Sequence, residues 1–260
     1  TNHHSFPLSF DAQAGTVYKL DFETYAGREF DTQSFHDLPA QFVLTAYCHD
    51  RLSEQVYYDF YTARKAAELH PETDYRRIQI ETYLTRAMNL LDCRIPGSAD
   101  YFASLKEAAR FMREEFYGKL CKDDSVIANC IGHTHIDVAW LWRLEQTRTK
   151  AVRSFSTELA LMDEYPEHFF MSSQPQLYEY VKQDCPEIYK KIKQRVKEGR
   201  WEVEGAMWLE ADCNLSSGES LIRQILHGKR FMQQEFGVDS HILWLPDVFG
   251  YSAALPQILK

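Results

Sequence analysis

The segment from His133 to Asp137 carries three side chains that can bind a metal ion, and it reads His-Thr-His-Ile-Asp. In an extended loop, side chains two residues apart, such as those of His135 and Asp137, can point to the same side. An imidazole and a carboxylate together form a borderline ligand set that suits Zn²⁺. The spacing therefore predicts a metal site. The alternative is local: His133 caps or packs, and Asp137 is the N-cap of a following helix.

Asp212 is a second candidate, because it follows an acidic, Trp-rich run from Trp201 to Glu210. In a strand, several acids of that run would alternate onto a solvated face. Asp212 itself could be catalytic, complete the metal site or be a plain turn residue. Trp140 lies close behind Asp137, where an indole ring could stack on a sugar, although a Trp in the first turn of a helix is more often core.

Short apolar runs alternate with long helical ones after Lys122, and this alternation predicts an α/β fold with a mostly parallel sheet flanked by helices. Ligands of such sheets bind beyond the carboxyl ends of the strands. The predicted strands are Val126–Ile131, Phe169–Ser172, Trp201–Ala206 and Ile242–Leu245. The predicted helices are Ala139 to about Tyr165, two that begin near Pro175 and Pro186, and Gly218–Phe236. Polar residues follow each strand and should converge on one rim: His133–Asp137, Ser173–Gln174, Glu210–Asp212 and Asp247.

The residues before this part predict two further regions. Alternation around Tyr18–Phe22 and the run Phe42–Leu44 indicate strands, so residues 1–48 are interpreted as the C-terminal tail of a β domain. Residues 49–122 show helical periodicity and are interpreted as a helical linker, with Ser98 or Asp100 placed to cap its last helix. Residues 123–260 would form the N-terminal part of the α/β domain, and Leu255–Lys260 would open a further helix, so we expect a piece of a longer protein.

Composition excludes several classes of protein. The 260 residues are 45% hydrophobic and 26% charged, which is typical of a globular protein. Acidic residues outnumber basic ones by 38 to 29, giving a net charge of −9, which argues against a nucleic-acid partner. No apolar run reaches membrane-spanning length, so no membrane partner is expected. The six cysteines are scattered without a pairing framework, as expected for reduced thiols in the cytoplasm.

Three motifs in order carry a resemblance to a known family: His-Thr-His-Ile-Asp-Val-Ala-Trp at 133–140, Met-Trp-Leu-Glu-Ala-Asp at 207–212 and Trp-Leu-Pro-Asp-Val-Phe-Gly-Tyr-Ser at 244–252. The chain resembles glycoside hydrolase family 38, the retaining α-mannosidases, and most closely their cytosolic and bacterial branch. Lysosomal and Golgi members carry Pro-Gly where this chain has Val138-Ala139. That departure leaves the linkage preference open.

The resemblance implies a role for each matching residue. His135 and Asp137 match two zinc ligands, and Asp212 matches the third ligand, which is also the catalytic nucleophile. Trp140 matches the aromatic residue that stacks on mannose, and Asp247 matches a carboxylate near the substrate hydroxyls. The enzyme would use one Zn²⁺, or another divalent metal, to hydrolyse terminal α-linked mannose from oligosaccharides through a covalent mannosyl-aspartate. A homo-oligomer of the full-length protein stays open.

The family's general acid and its fourth ligand are expected beyond residue 260, so this chain alone is expected to be inactive. Two other functions stay open. An amidohydrolase-type metal enzyme also begins with His-x-His but needs two more histidines after strands, whereas His168, His227 and His241 precede strands or lie on a helix. A non-catalytic carbohydrate-binding fragment would show neither a metal site nor a covalent sugar adduct.

Overall fold

The computed structural model describes residues 7–22, 43–122 and 126–260. The chain divides into two units, one of residues 41–128 and one that combines residues 1–40 with residues 129–260. Each of the helices within the described residues is too short or too polar to cross a membrane. The domain boundaries expected from the sequence remain a prediction.

The unit of residues 41–128 is helical, as predicted. It contains α1 (Arg51–Glu68), α2 (Tyr75–Met88) and α3 (Ala99–Phe111), and α3 continues as a π-helix over Met112–Leu120. Ser98 caps α3 by accepting a hydrogen bond from the backbone N–H of Tyr101, which confirms its predicted role. One apolar stripe along α3 and the π-helix is buried, at Leu105, Ala108, Ala109, Met112 and Phe116.

The second unit contains a small parallel sheet flanked by helices, which confirms the predicted α/β class. Its strands are β1 (Gly132–His133), β2 (Phe170–Met171) and β3 (Trp201–Glu202), in the order β1-β2-β3, with Gly132 opposite Phe170 and Phe170 opposite Trp201. The helices are α4 (Leu144–Glu164), α5 (Pro175–Asp184), α6 (Pro186–Lys197), α7 (Gly218–Phe236) and α8 (Leu255–Leu259). The crossovers place α4 between β1 and β2, and α5 and α6 between β2 and β3.

Several predicted boundaries are wrong. The first strand is not Val126–Ile131: Val126 is 83% exposed and unpaired by any strand, and β1 begins only at Gly132. The helix expected from Ala139 begins five residues later, at Leu144. Residues 7–22 and 43–48 contain no strand, so the strand expected at Tyr18–Phe22 is wrong too, while Phe42 lies outside the described residues.

The third and fourth predicted strands are shorter than expected, and the chain turns at Gly205 and Ala206. β3 ends at Glu202, and the segment 242–245 makes only an isolated parallel bridge, between Gly205 and Leu243. Gly205 and Ala206 both have positive φ, 129° and 57°. Because these angles lie outside the strand region of the backbone, a regular strand cannot run through Gly205 and Ala206.

An aromatic core joins the sheet to its helices. Trp201 on β3 is buried, and its ring centroid lies 4.6 Å from that of Phe170 on β2 and 5.2 Å from that of Phe155 on α4. Its indole N–H donates to the hydroxyl of Tyr178 on α5, which in turn donates to the carbonyl of Ser172. The buried indole N–H of Trp201 and the hydroxyl of Tyr178 are therefore both hydrogen-bonded. These bonds fix the end of β2 just before Ser173 and Gln174.

Helix α7 approaches the chain after β3 so closely that only glycine fits at the contact. A Cβ on Gly228 would lie 2.1 Å from the carbonyl oxygen of Ala206 and 2.6 Å from the carbonyl carbon of Met207. The backbone N–H of Trp208 also donates to the carbonyl of Gln224 on the same helix. Helix α7 thus sets the position of the segment that leads to Glu210.

We expect Gly228→Ala to lower the free energy of unfolding by about 1–3 kcal/mol, because the new methyl group collides with backbone. This loss should outweigh the roughly 1 kcal/mol gain in helix propensity. Gly218→Ala is the matched control on the same helix, since its Cβ would meet only Ile258 Cδ1 at 4.0 Å. Urea unfolding measures both, and equal stability of the two variants would contradict the close contact.

Candidate functional site

One imidazole lies among three carboxylates at the carboxyl end of the sheet. The Nε2 atom of His135 is 3.2 Å from an Asp137 oxygen and 3.5 Å from an Asp247 oxygen. On the other side of the ring, Nδ1 is 3.0 Å from Glu210 Oε2. The four side chains come from the loop after β1, the segment after β3 and the segment after residue 245, so the predicted rim forms.

The loop after β1 is oriented by burial of Ile136, which belongs to the hydrophobic core of this unit. In this loop, His135 and Asp137 remain partly exposed on either side of it. The buried side chain of Gln174, at the end of β2, donates from Nε2 to the carbonyl of Ile136 at 2.8 Å. Its Oε1 accepts from the backbone N–H of Glu210 at 3.2 Å, so one amide joins the loops after the first and third strands.

The carboxylate of Glu210 receives a second contact from the loop after β2. Ser173 Oγ donates to Glu210 Oε1 at 3.3 Å. Gly205 permits this packing, because a Cβ there would lie 2.4 Å from the Cβ of Ser173. The side chain of Glu210 is only 7% exposed, so its charge is held inside the rim.

The carboxylates strongly favour a positive charge at His135. Its pKa is raised to about 9, first by contact with Glu210 and further by Asp137, while burial opposes the shift. Three buried polar atoms here have no hydrogen-bond partner among the described residues: Thr134 Oγ1, His135 Nδ1 and Glu210 Oε2. Polar atoms in this state are costly, and together with the raised pKa they indicate a rim suited to a cation.

Two overlapping sets of side chains bring ligand atoms within 4.8 Å of one another. One set is His135, Asp137 and Asp247, and the other is His133, His135 and Glu210. Both nitrogens of His133 are already engaged, because Nδ1 lies 3.0 Å from the carbonyl oxygen of Met171 and Nε2 accepts from the Trp244 indole at 3.4 Å. The first set is therefore the more open one, and its imidazole and carboxylates fit Zn²⁺.

The structure brings together three of the five predicted site residues: His135, Asp137 and Asp247. It does not bring Asp212 to them; instead Asp212 Oδ1 accepts the backbone N–H groups of Asn214 and Leu215, each at 2.8 Å. That arrangement shapes a turn, which is the local alternative considered for this residue. The predicted roles of Asp212 as ligand and nucleophile stay a prediction.

Trp140 lies in the loop before α4 rather than in the helix. The buried hydroxyl of Thr147 ties that loop down by donating to the carbonyl of Val138 at 2.7 Å and accepting from the Trp142 indole at 2.9 Å. Trp140 is 53% exposed. A core role is thus excluded for its ring within this structure, and its predicted role in stacking on a sugar stays a prediction.

The sequence predicts Glu210 and Gln174 for the rim, because both follow predicted strands, but it assigns neither of them a role in the site. Glu210 also ends an acidic run in which several acids are expected on a solvated face, yet its side chain is buried against His135. Gln174 also follows a strand, but nothing in the sequence shows that its amide spans two loops.

Comparisons with known proteins identify a family and several relatives of this chain. Residues 125–260, more than half of the chain, match the N-terminal domain of the glycosyl hydrolases family 38. The chain is 45% identical over 148 residues to "Alpha-mannosidase G" of Dictyostelium discoideum, covering 57% of this chain and 14% of that protein. It is 34% identical over 242 residues to "Alpha-mannosidase" of Saccharomyces cerevisiae, covering 88% and 21%.

The human protein "Alpha-mannosidase 2C1" is 42% identical over 151 residues, covering 58% of this chain and 14% of its own length. The chain thus spans between about a seventh and a fifth of these relatives. A crystal structure of an α-mannosidase from Enterococcus faecalis aligns over 50% of this chain and 15% of its own, at 26% identity and a TM-score of 0.46. On the family match over residues 125–260, the chain belongs to glycosyl hydrolase family 38.

Proposed function

We propose that the protein containing this chain is a zinc-dependent retaining α-mannosidase that removes terminal α-linked mannose from oligosaccharides. The observation that carries the proposal is the meeting of His135 with Asp137 and Asp247 at the carboxyl end of a parallel sheet. The chain belongs to family 38, and its curated relatives carry the name α-mannosidase. Free cysteines favour a cytoplasmic location.

In this proposal His135, Asp137 and Asp212 would hold the metal ion, and Asp247 would contact either the ion or the hydroxyls of the sugar. A bound divalent cation would coordinate two adjacent hydroxyls of the sugar. The chain's own contribution is to fix the donors, since Gln174 anchors the loop that carries His135 and Asp137. Fixed donors hold the mannose ring at one position, and this lowers the entropy lost in reaching the transition state.

Asp212 is the proposed nucleophile. Its carboxylate forms a bond to the anomeric carbon as the glycosidic C–O bond breaks, and a carboxylic acid elsewhere in the protein gives the leaving oxygen a proton. Water activated by the same group then releases mannose and frees Asp212. The two hydrogen bonds from the backbone N–H groups of Asn214 and Leu215 hold one oxygen of Asp212. This supports a fixed direction of attack on the anomeric carbon.

Replacing the two proposed ligands should abolish zinc binding. In the intact protein, His135→Ala/Asp137→Ala should lose the roughly one zinc per chain expected of a single site, measured by elemental analysis after dialysis. Asp239→Ala/His241→Ala is the matched control, because it removes an exposed pair with the same spacing. Zinc retained by the first variant, or lost equally from both, would contradict the assignment.

A mechanism-based fluorinated mannoside with a good leaving group should label Asp212 in the intact protein. The carboxylate forms the covalent bond, and the fluorine slows its hydrolysis, so the adduct survives digestion and mass mapping of peptides. Asp212→Asn should give no labelled peptide. A label on Glu204 or Glu210 instead would show that the nucleophile is misassigned.

Trp140→Ala should reduce kcat/KM about fivefold or more, because stacking on a ring is worth on the order of 1 kcal/mol. Its melting temperature should barely change, since most of the indole is exposed. The comparison is Trp201→Ala, which empties a buried site and should cost about 3–5 kcal/mol of stability. Steady-state kinetics and thermal unfolding separate the two, and a Trp140 variant that loses stability but keeps its kinetics would overturn the stacking role.

A further inference from the structure

The side chain of Glu210 is buried at the rim, and the contacts of this residue come from two other loops, the one after β1 and the one after β2. Its Oε2 lies 3.0 Å from His135 Nδ1, its Oε1 accepts from Ser173, and its backbone N–H donates to Gln174. A carboxylate that is only 7% exposed needs a compensating partner, because burial of an unpaired charge is costly. The imidazole of His135 is the group that can provide it.

The contact between Glu210 and His135 is close but lacks the geometry of a hydrogen bond. Neither Glu210 Oε2 nor His135 Nδ1 has a hydrogen-bond partner in the part of the chain that the structure describes. In this structure the ring is hydrogen-bonded through Nε2, which lies 3.2 Å from Asp137 Oδ1 and also faces Asp247. A metal ion bound at Nε2 would replace that hydrogen bond and leave the ring proton on Nδ1, beside Glu210 Oε2.

His133 leaves this arrangement undisturbed. The Trp244 indole donates to its Nε2, so the ring's proton lies on Nδ1, where it is donated to the Met171 carbonyl. A ring engaged at both nitrogens does not compete for a metal ion. The Nδ1 edge of His135 therefore faces the buried carboxylate of Glu210, and the Nε2 edge, which faces Asp137, is the one open to a metal ion.

We infer that Glu210 is the positioning residue of the metal site: it accepts the Nδ1 proton of His135 and leaves Nε2 unprotonated toward Asp137 and Asp247. This inference rests on the proposed function. A carboxylate behind a ligating histidine fixes the tautomer and the ring direction and increases the basicity of the ligand. Ser173 and Gln174 hold Glu210 in place for that task.

Zinc affinity of the intact protein tests the inference, measured by competition with a chromogenic chelator. Glu210→Ala should weaken zinc binding about 10- to 100-fold, the usual effect of losing such a partner. Glu210→Gln keeps the shape and one acceptor oxygen, so its loss should be smaller. Glu202→Ala removes an exposed acid of β3 and should leave the affinity within about twofold. A Glu210→Ala protein that matches the Glu202 control would overturn the inference.

NMR of ¹⁵N-histidine in the zinc-loaded protein gives a readout that general destabilisation would not reproduce. We expect His135 to keep a slowly exchanging Nδ1 proton in the parent and in Glu210→Gln, and to lose it in Glu210→Ala. A His135 that ligates through Nδ1 would overturn the inference. So would a Glu210→Gln protein that loses zinc as completely as His135→Ala, because that result makes Glu210 a ligand.

The same proteins separate this inference from the proposed function. A parent that binds zinc in a Glu210-dependent way but does not cleave aryl α-mannosides keeps the inference and refutes the proposed activity. An unmodified protein that cleaves aryl α-mannosides but binds zinc independently of Glu210 keeps the proposed activity and refutes the inference. A parent that binds no divalent metal refutes both.

Discussion

The amide of Gln174 joins two loops that the sheet alone does not bring into register. β1 and β3 are separated by β2 and are only two residues long, so strand pairing gives little control over the loops that follow them. The amide bonds the carbonyl of Ile136 and the N–H of Glu210 at once. Because it is buried, neither bond competes with water, and loss of either would leave a polar group unsatisfied.

The position of Gln174 depends in turn on the core beneath it. The Trp201 indole bonds Tyr178, and Tyr178 bonds the carbonyl of Ser172, two residues before Gln174. The segment that leads to Glu210 depends on the backbone contact at Gly228. Apolar packing, satisfied hydrogen bonds and one missing Cβ thus act together, and an error in any of them would displace the carboxylates around His135.

The sequence predicted those parts of the molecule that local signals determine. Pro175 and Pro186 open their helices and Gly218–Phe236 is a helix as predicted, because proline placement and apolar periodicity are local properties. His135, Asp137 and Asp247 were identified because polar residues follow strands. Strand lengths were not predictable, since the apolar run at Val126 resembles a buried strand but is exposed. The position of Glu210 depends on a hydrogen bond to a residue 36 positions earlier, which periodicity does not encode.

The charges at the rim explain why this arrangement favours a cation. When ionised, Asp137, Asp247 and Glu210 carry three negative charges, and a protonated His135 offsets one of them. Asp137 and Asp247 are partly exposed, so water stabilises part of their charge, whereas Glu210 is nearly sealed from solvent. A doubly protonated His135 would present one N–H to Glu210 and the other to both aspartates, but it would supply only a single positive charge. A divalent ion on the Nε2 side would supply twice that charge and would still leave the Nδ1 proton for Glu210.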